Sequence, residues 1–181
     1  YHSFEFDLTD LLDYERENVL AVHVDSSEHE GWWYQGAGIY RPVRLVITEP
    51  VHVETWGVFL HPEKQTEEIW RLPAEVEIAN DGFRGALLRV ETAVFAPDGA
   101  PAAILSGEIV VPAREKATLR LFGQVHCPEI WDLDTPRLYS ARTRLYEGET
   151  LLDEVSDRFG FRTLGWSEEG FFLNGRRVEL K

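Results

Sequence analysis

Cysteine occurs once, as Cys127, so no disulfide can close within the chain and the redox compartment is left open. Methionine is absent altogether. Basic residues are scarce: 18 Lys and Arg stand against 32 Asp and Glu, a net charge of −14. A field of that sign repels polyanions, which excludes nucleic acid and an anionic membrane surface as expected partners. No apolar run approaches the roughly 20 residues of a membrane-spanning helix, and the amino end carries no signal-peptide pattern. What the chain does have is apolar and aromatic material, at 44% and 12% of its 181 residues. That is the composition of a chain able to build a core, and it excludes disorder.

Helical periodicity is as scarce as cysteine, and period-2 alternation takes its place. In 74–79, Ala74, Val76 and Ile78 fall on one face and Glu75 and Glu77 on the other; in 87–95, Leu88, Val90 and Val94 oppose Arg89 and Glu91. Strands are predicted over 18–25, 39–49, 51–61, 69–80, 85–97, 103–111, 116–125, 138–147 and 150–161. Turn signals punctuate them at Asn80-Asp81-Gly82, Pro97-Asp98-Gly99, Pro112-Ala113 and Glu147-Gly148. Seven strands between Val51 and Arg162, at the spacing of about 8–12 residues usual for such folds, predict an all-β, immunoglobulin-like β-sandwich held by packing alone. Asp7-Leu8-Thr9-Asp10 predicts one helical turn capped by Thr9 or Asp10, and 62–68 reads as a loop. Pro50 biases Glu49 toward extended geometry, predicting a taut crossing between residues 1–50 and the sandwich. At the far end Asn174-Gly175 predicts a two-residue hairpin turn. Both ends read as cut, so the chain is expected to be a piece of a longer protein.

None of the seven serines sits in a G-x-S-x-G elbow. His126 and Cys127 are adjacent, so on a strand they point apart and form no thiol–imidazole pair; Cys127 is expected to be buried. His23, Asp25, Glu28, His29 and Glu30 gather possible metal ligands without a spacing that fixes a geometry, and a solvated acidic loop is the expected reading. Asp132 and Asp134 could share a face as paired carboxylates do in glycoside hydrolysis, yet they precede Thr135-Pro136, where Asp caps a turn. The aromatic segment Trp32-Trp33-Tyr34 either stacks on a sugar ring or plugs a domain interface. No metal, no cofactor and no catalytic residue is assigned to this chain.

Four stretches, in order, carry a resemblance. Trp33-Tyr-Gln-Gly-Ala-Gly-Ile-Tyr-Arg41 resembles the W-Y-x-G-x-G-I-Y-R segment that closes the sugar-binding jelly roll of glycoside hydrolase family 2, the β-galactosidase, β-glucuronidase and β-mannosidase group. Phe4-Glu-Phe-Asp-Leu-Thr-Asp10 with Glu17-Asn-Val-Leu-Ala-Val22 looks like earlier strands of that jelly roll. Asp134-Thr-Pro-Arg-Leu-Tyr139 is similar to the D-x-P-x-L-Y turn of the family's second domain. Phe159-Gly-Phe-Arg162 with Phe172-Leu-Asn-Gly175 is similar to the passage into its catalytic barrel.

The resemblance implies that 1–50 is the last part of the jelly roll, 51–163 a complete immunoglobulin-like domain, and 164–181 the first hairpin of a missing TIM barrel. It implies a parent exo-glycosidase that hydrolyses β-linked glycosides, β-galactosides foremost, by a retaining two-carboxylate mechanism whose acids lie at barrel strand ends beyond Lys181. The piece itself is expected to be inactive. Its partners would be a carbohydrate substrate through the parent, the rest of the parent chain and a second copy, with Trp33 and Glu30 as the substrate-binding candidates. Phe171, Phe172 and Leu173, expected to lack partners within the chain, predict exposed apolar surface and self-association. The competing reading is a stand-alone carbohydrate-binding or adhesion sandwich using Trp32, Trp33 and Tyr34; a metal-dependent enzyme built on Glu28, His29 and Glu30 stands third.

Overall fold

A computed structural model describes residues 3–25 and 38–179, and the chain divides into two units, Tyr1–Val46 and Ile47–Lys181. The second unit is built from β1 (Val51–Leu60), a two-residue β2 (Glu63–Lys64), β3 (Ile69–Asn80), β4 (Ala86–Phe95), β5 (Pro101–Val111), β6 (Glu115–His126), β7 (Tyr139–Glu147), β8 (Thr150–Phe159), β9 (Leu164–Ser167), β10 (Gly170–Leu173) and β11 (Arg176–Val178). All ladders between them are antiparallel. One sheet has β3 at its centre, with β1 and β2 along one side and β6 along the other; the second runs β5-β4-β7-β8. The chain thus makes a hairpin in the second sheet, crosses to the first for β6, and returns to lay β7 beside β4, the Greek-key path of a β-sandwich.

The alternation explains these elements. On β3, Leu72, Ala74, Val76 and Ile78 are buried while Glu75 and Glu77 face outward; on β4, Leu88, Val90 and Val94 are buried with Arg89 and Glu91 opposite. The inner faces meet as a single apolar core that also includes Val53, Leu105, Val111, Leu121 and Leu145. Thr92 and Thr143 are polar side chains within the inner face, and they satisfy each other at 2.9 Å across neighbouring strands. At the β5/β6 edge the sheets approach so closely that each admits a leucine over a glycine. A Cβ on Gly107 would lie 2.8 Å from Leu121, and one on Gly123 would lie 2.9 Å from Leu105.

Side chains fix the turns. Buried Asn80 donates to the Arg84 and Val111 carbonyls and accepts from the Gly82 N–H, closing the Asn80-Asp81-Gly82 turn. Tyr139, at the start of β7, accepts the Glu129 N–H at 3.0 Å, a tyrosine corner across the top of the sandwich. At the opposite edge the Val53 N–H donates to Asp153 of β8 at 2.9 Å, tying one sheet to the other. Asp157 also stands on the inner side of β8, and burial pushes its carboxyl above the ordinary value. Inward-pointing acids on an edge strand oppose pairing with another chain.

Departures from expectation are local. The 62–68 loop contains the short β2. Cys127 is exposed rather than buried, because it leaves β6 with a left-handed φ of 46° and donates its N–H to the Glu68 carbonyl. In β1 the alternation breaks: Val53 pairs with Ile78 and Val58 with Val76, so extra residues bulge out between them. Trp56 stands on that bulge with φ 61° and is 84% exposed. Its neighbour Gly57 has no room for a Cβ, which would sit 2.8 Å from the Glu54 and Glu77 carbonyls.

Residues 18–25, in the first unit, and 39–49, which run from it into the second, form no ladder, contrary to the strands predicted there. Alternation supplies a face but not the neighbouring backbone that a strand's N–H and C=O groups require, and the described residues offer none. The single 3₁₀ turn, Thr9–Leu11, falls in the predicted place, but Asp7 fixes it by accepting from the Thr9 N–H and hydroxyl; Thr9 and Asp10 do not cap it.

Two outcomes follow from this packing. Tyr139→Phe leaves the Glu129 N–H without its acceptor and should cost about 1 kcal/mol, read as a lower urea midpoint at unchanged slope. Asp157→Asn removes a carboxyl whose folded pKa lies above its unfolded one, so the penalty it relieves is full above the folded pKa and absent below the unfolded one. The variant should therefore gain stability near neutral pH and lose that gain by about pH 3, measured by thermal unfolding across that range.

Candidate functional site

The segment following the sandwich is a three-stranded meander in which β10 pairs with β9 and β11. Leu173 lies opposite Arg176, so the turn consists of Asn174 and Gly175, both with positive φ (51° and 76°), as the hairpin reading requires. Where this meander meets the end of the sandwich, residues far apart in sequence converge.

Phe161 is the centre of that end. It is fully buried, makes a parallel bridge with Ile130, and sits edge-on to Trp70 and to Tyr139, with ring centroids 5.6 and 4.7 Å away; Phe159 tilts against it at 5.4 Å. The Trp131 N–H donates to the Phe161 carbonyl at 2.9 Å. A side chain on Gly160 would strike Trp131 at 2.8 Å, so the glycine lets the indole close over the backbone. Arg162 then lies 5.0 Å from the Trp131 ring.

Asn174 fastens the meander to this base. Its side-chain oxygen accepts the Thr163 N–H at 2.9 Å, its amide donates to the Trp131 carbonyl at 2.9 Å and to Asp132 at 3.4 Å, and its own N–H donates to the Thr163 carbonyl at 2.9 Å. Arg176 adds an ion pair of 2.8 Å to Asp132 and a longer one of 3.5 Å to Asp134. Burial pushes the Asp132 carboxyl up, but the Asn174 amide, the Leu133 N–H and the Arg176 guanidinium outweigh it and hold it below the ordinary carboxylate value. The arrangement fastens the meander to the end of the sandwich.

Asp132 and Asp134 lie in the expected turn, where Asp132 also accepts the Leu133 N–H at 2.7 Å. Their second role, receiving Arg176, was not legible from the sequence, since no local spacing links residues 44 positions apart; Asn174 was read only as a turn residue. Phe171, Phe172 and Leu173 do have partners. Leu173 is buried, Phe171 packs on Trp166 at 4.6 Å, and Phe172 is half-buried. The exposed apolar side chains here are Leu164 and Trp166, the latter 74% exposed. His126 and Cys127 are both exposed. Trp32, Trp33, Tyr34, Glu28, His29 and Glu30 lie outside the described residues.

Comparison with known proteins places these features. The chain is 32% identical over 182 aligned positions to the β-galactosidase BoGH2A of Bacteroides ovatus, covering 99% of this chain and 21% of that protein. It is 34% identical to a putative β-glucuronidase of Formosa agariphila, covering 100% and 17%. It therefore spans about a fifth of the length of these relatives. The crystal structure of a β-glycosidase from Bacteroides vulgatus superposes with a TM-score of 0.70 at 29% identity, covering 81% of this chain and 18% of that one. A family 2 glycosyl hydrolase from Bacteroides cellulosilyticus gives 0.69 at 28% identity, covering 74% and 19%. The family described as "Glycosyl hydrolases family 2" matches residues 51–162, the whole sandwich from β1 to β8. The chain belongs to glycosyl hydrolase family 2.

Proposed function

We propose that this chain is a non-catalytic scaffold piece of an exo-glycosidase, and that its parent hydrolyses β-linked glycosides, β-galactosides first, by a retaining two-carboxylate mechanism. In this reading 1–50 closes a sugar-binding jelly roll, 51–163 is the spacing sandwich, and 164–181 leads into the catalytic barrel. The observation that carries it is coverage: the family match occupies the sandwich, while relatives named β-galactosidase and β-glucuronidase are about five times longer.

The geometry supports a holding role. The carboxylates near the junction, Asp132 and Asp134, both face one arginine rather than each other. The Asp132–Asn174–Arg176 clamp sets the angle at which the chain leaves the sandwich. One face of the meander carries Trp166, Phe171 and Val178 in a row, continuous with buried Leu173, and suits cover by a neighbouring part of the parent. A net charge of −14 favours approach of a neutral galactoside over an anionic glucuronide. Trp33 and Glu30 are proposed to touch the sugar from the jelly-roll side.

The parent should turn over nitrophenyl β-galactoside faster than the β-glucuronide or β-mannoside, and Trp33→Ala in it should raise KM. Residues 1–181 alone should release no nitrophenol, and measurable turnover there would sink the scaffold reading. For the clamp, Arg176→Gln should lower hydrogen-exchange protection over Phe171–Val178 about two- to fivefold and leave β4 and β7 unchanged. Because the folded Asp132 pKa is depressed, its stabilisation is present above the unfolded carboxylate pKa and lost as pH falls through the lower folded value. Meander protection should decay in that acid window, and Asp132→Asn should abolish the pH dependence.

A further inference from the structure

We infer that the outer face of the β1–β3–β6 sheet is a second, non-catalytic binding strip for a neutral oligosaccharide. Residues directed to this face fall into rows across the sheet: Phe59 of β1, Glu75 and Arg120; then His61 after β1, buried Pro73 and Phe122; then Glu63 of β2, Arg71 and Gln124. Two strand spacings separate β1 from β6 by about 10 Å, and Phe59 and Phe122 stand one row apart, the span of a short oligosaccharide rather than of one sugar.

Two kinds of group are available along the strip. Phe59, stacked on His61 at 5.0 Å, and Phe122 are 59% and 57% exposed. On the other sheet the outward rings, Phe95 and Tyr146, are half-buried beneath Arg142 and Arg89. Arg71 reaches over Phe122 at 4.6 Å but leaves most of the ring in water. Beside it, a shallow trough of about 410 Å³ is lined by Gln65, Arg71, Phe122, Gly123 and Gln124. The side-chain amides of Gln65 and Gln124 make no hydrogen bond among the described residues, so each offers a donor and an acceptor.

Charge selects the class of ligand. Glu63 pairs with Arg71 at 3.6 Å and Glu75 with Arg120 at 3.0 Å, so the strip carries no net charge on a chain of −14. A polyanion meets the field of the whole chain, and a cation finds these acids already engaged. A neutral pyranose chain meets neither obstacle: its C–H faces stack on exposed rings and its hydroxyls match planar amides. This inference goes beyond the scaffold reading, because the strip needs neither the barrel nor its acids.

The test is an NMR amide-shift titration of the 181-residue chain with β-1,4-galactotetraose and with cellotetraose. Saturable shifts should centre on Phe59, Arg71, Phe122 and Gln124 for at least one of the two. Phe122→Ala and Gln124→Ala, each confirmed folded by its dispersed spectrum, should weaken binding, the former at least about tenfold, equivalent to about 1.4 kcal/mol. Phe95→Ala on the other sheet should stay within about twofold of the unmodified chain. The strip is refuted by absence of saturable shifts, by indifference to both variants, by tighter binding of an oligogalacturonide, or by a parent structure in which another segment or subunit covers Phe122. Binding is read without turnover, so loss of this strip leaves the glycosidase reading intact, and an inactive parent leaves the strip intact.

Discussion

Everything at the working end of this molecule rests on burying Phe161. The ring closes the open end of the sandwich against Trp70 from one sheet and Tyr139 from the other, and full burial of such a side chain stabilises by about 2–3 kcal/mol over leaving it in water. Its backbone then does the connecting. The Phe161 carbonyl receives Trp131, the next residues start the meander, and Asn174 returns to the Trp131 carbonyl. Without a ring at that point the clamp would have no fixed base to close upon.

The ion pairs act differently from the ring. Arg176 and Asp132 are partly exposed, a setting in which a lone pair contributes little. Their contribution is direction. A buried aromatic says that two elements touch, whereas Asn174 and Arg176 together specify the angle and register at which they touch. In the scaffold role proposed above, that property matters more than stability.

The two sheet faces divide the remaining labour. The outer face of the β5-β4-β7-β8 sheet is a lattice of Arg89, Glu91, Arg142, Arg144 and Glu154, solvated and internally paired. The outer face of the other sheet leaves aromatic rings and unspent amides in water. The bulge bearing Trp56 belongs to the same first strand and maintains a left-handed backbone at a non-glycine residue, a conformation that costs energy and persists only where its surroundings enforce it. Here the bulge is flanked by Gly57, whose backbone packs against the Glu54 and Glu77 carbonyls, and by the Glu54–Lys116 ion pair at 2.6 Å.

Alternation determined most of the sandwich: β3, β4 and β7 lie where apolar residues alternate with polar or charged ones, because a half-buried strand writes its period into the sequence. The Asn174-Gly175 turn was equally legible, since positive φ at two successive positions restricts the residues that fit. What only the tertiary structure decided is whatever depends on a partner distant in sequence. Residues 18–25 alternate as strands do yet form none, because a ladder needs a neighbour that no single segment can supply. Asp132 and Arg176 meet across 44 positions, and Cys127 turns outward because its N–H is claimed by Glu68. A sequence records the face a residue prefers; which group stands opposite is settled only when the chain has folded.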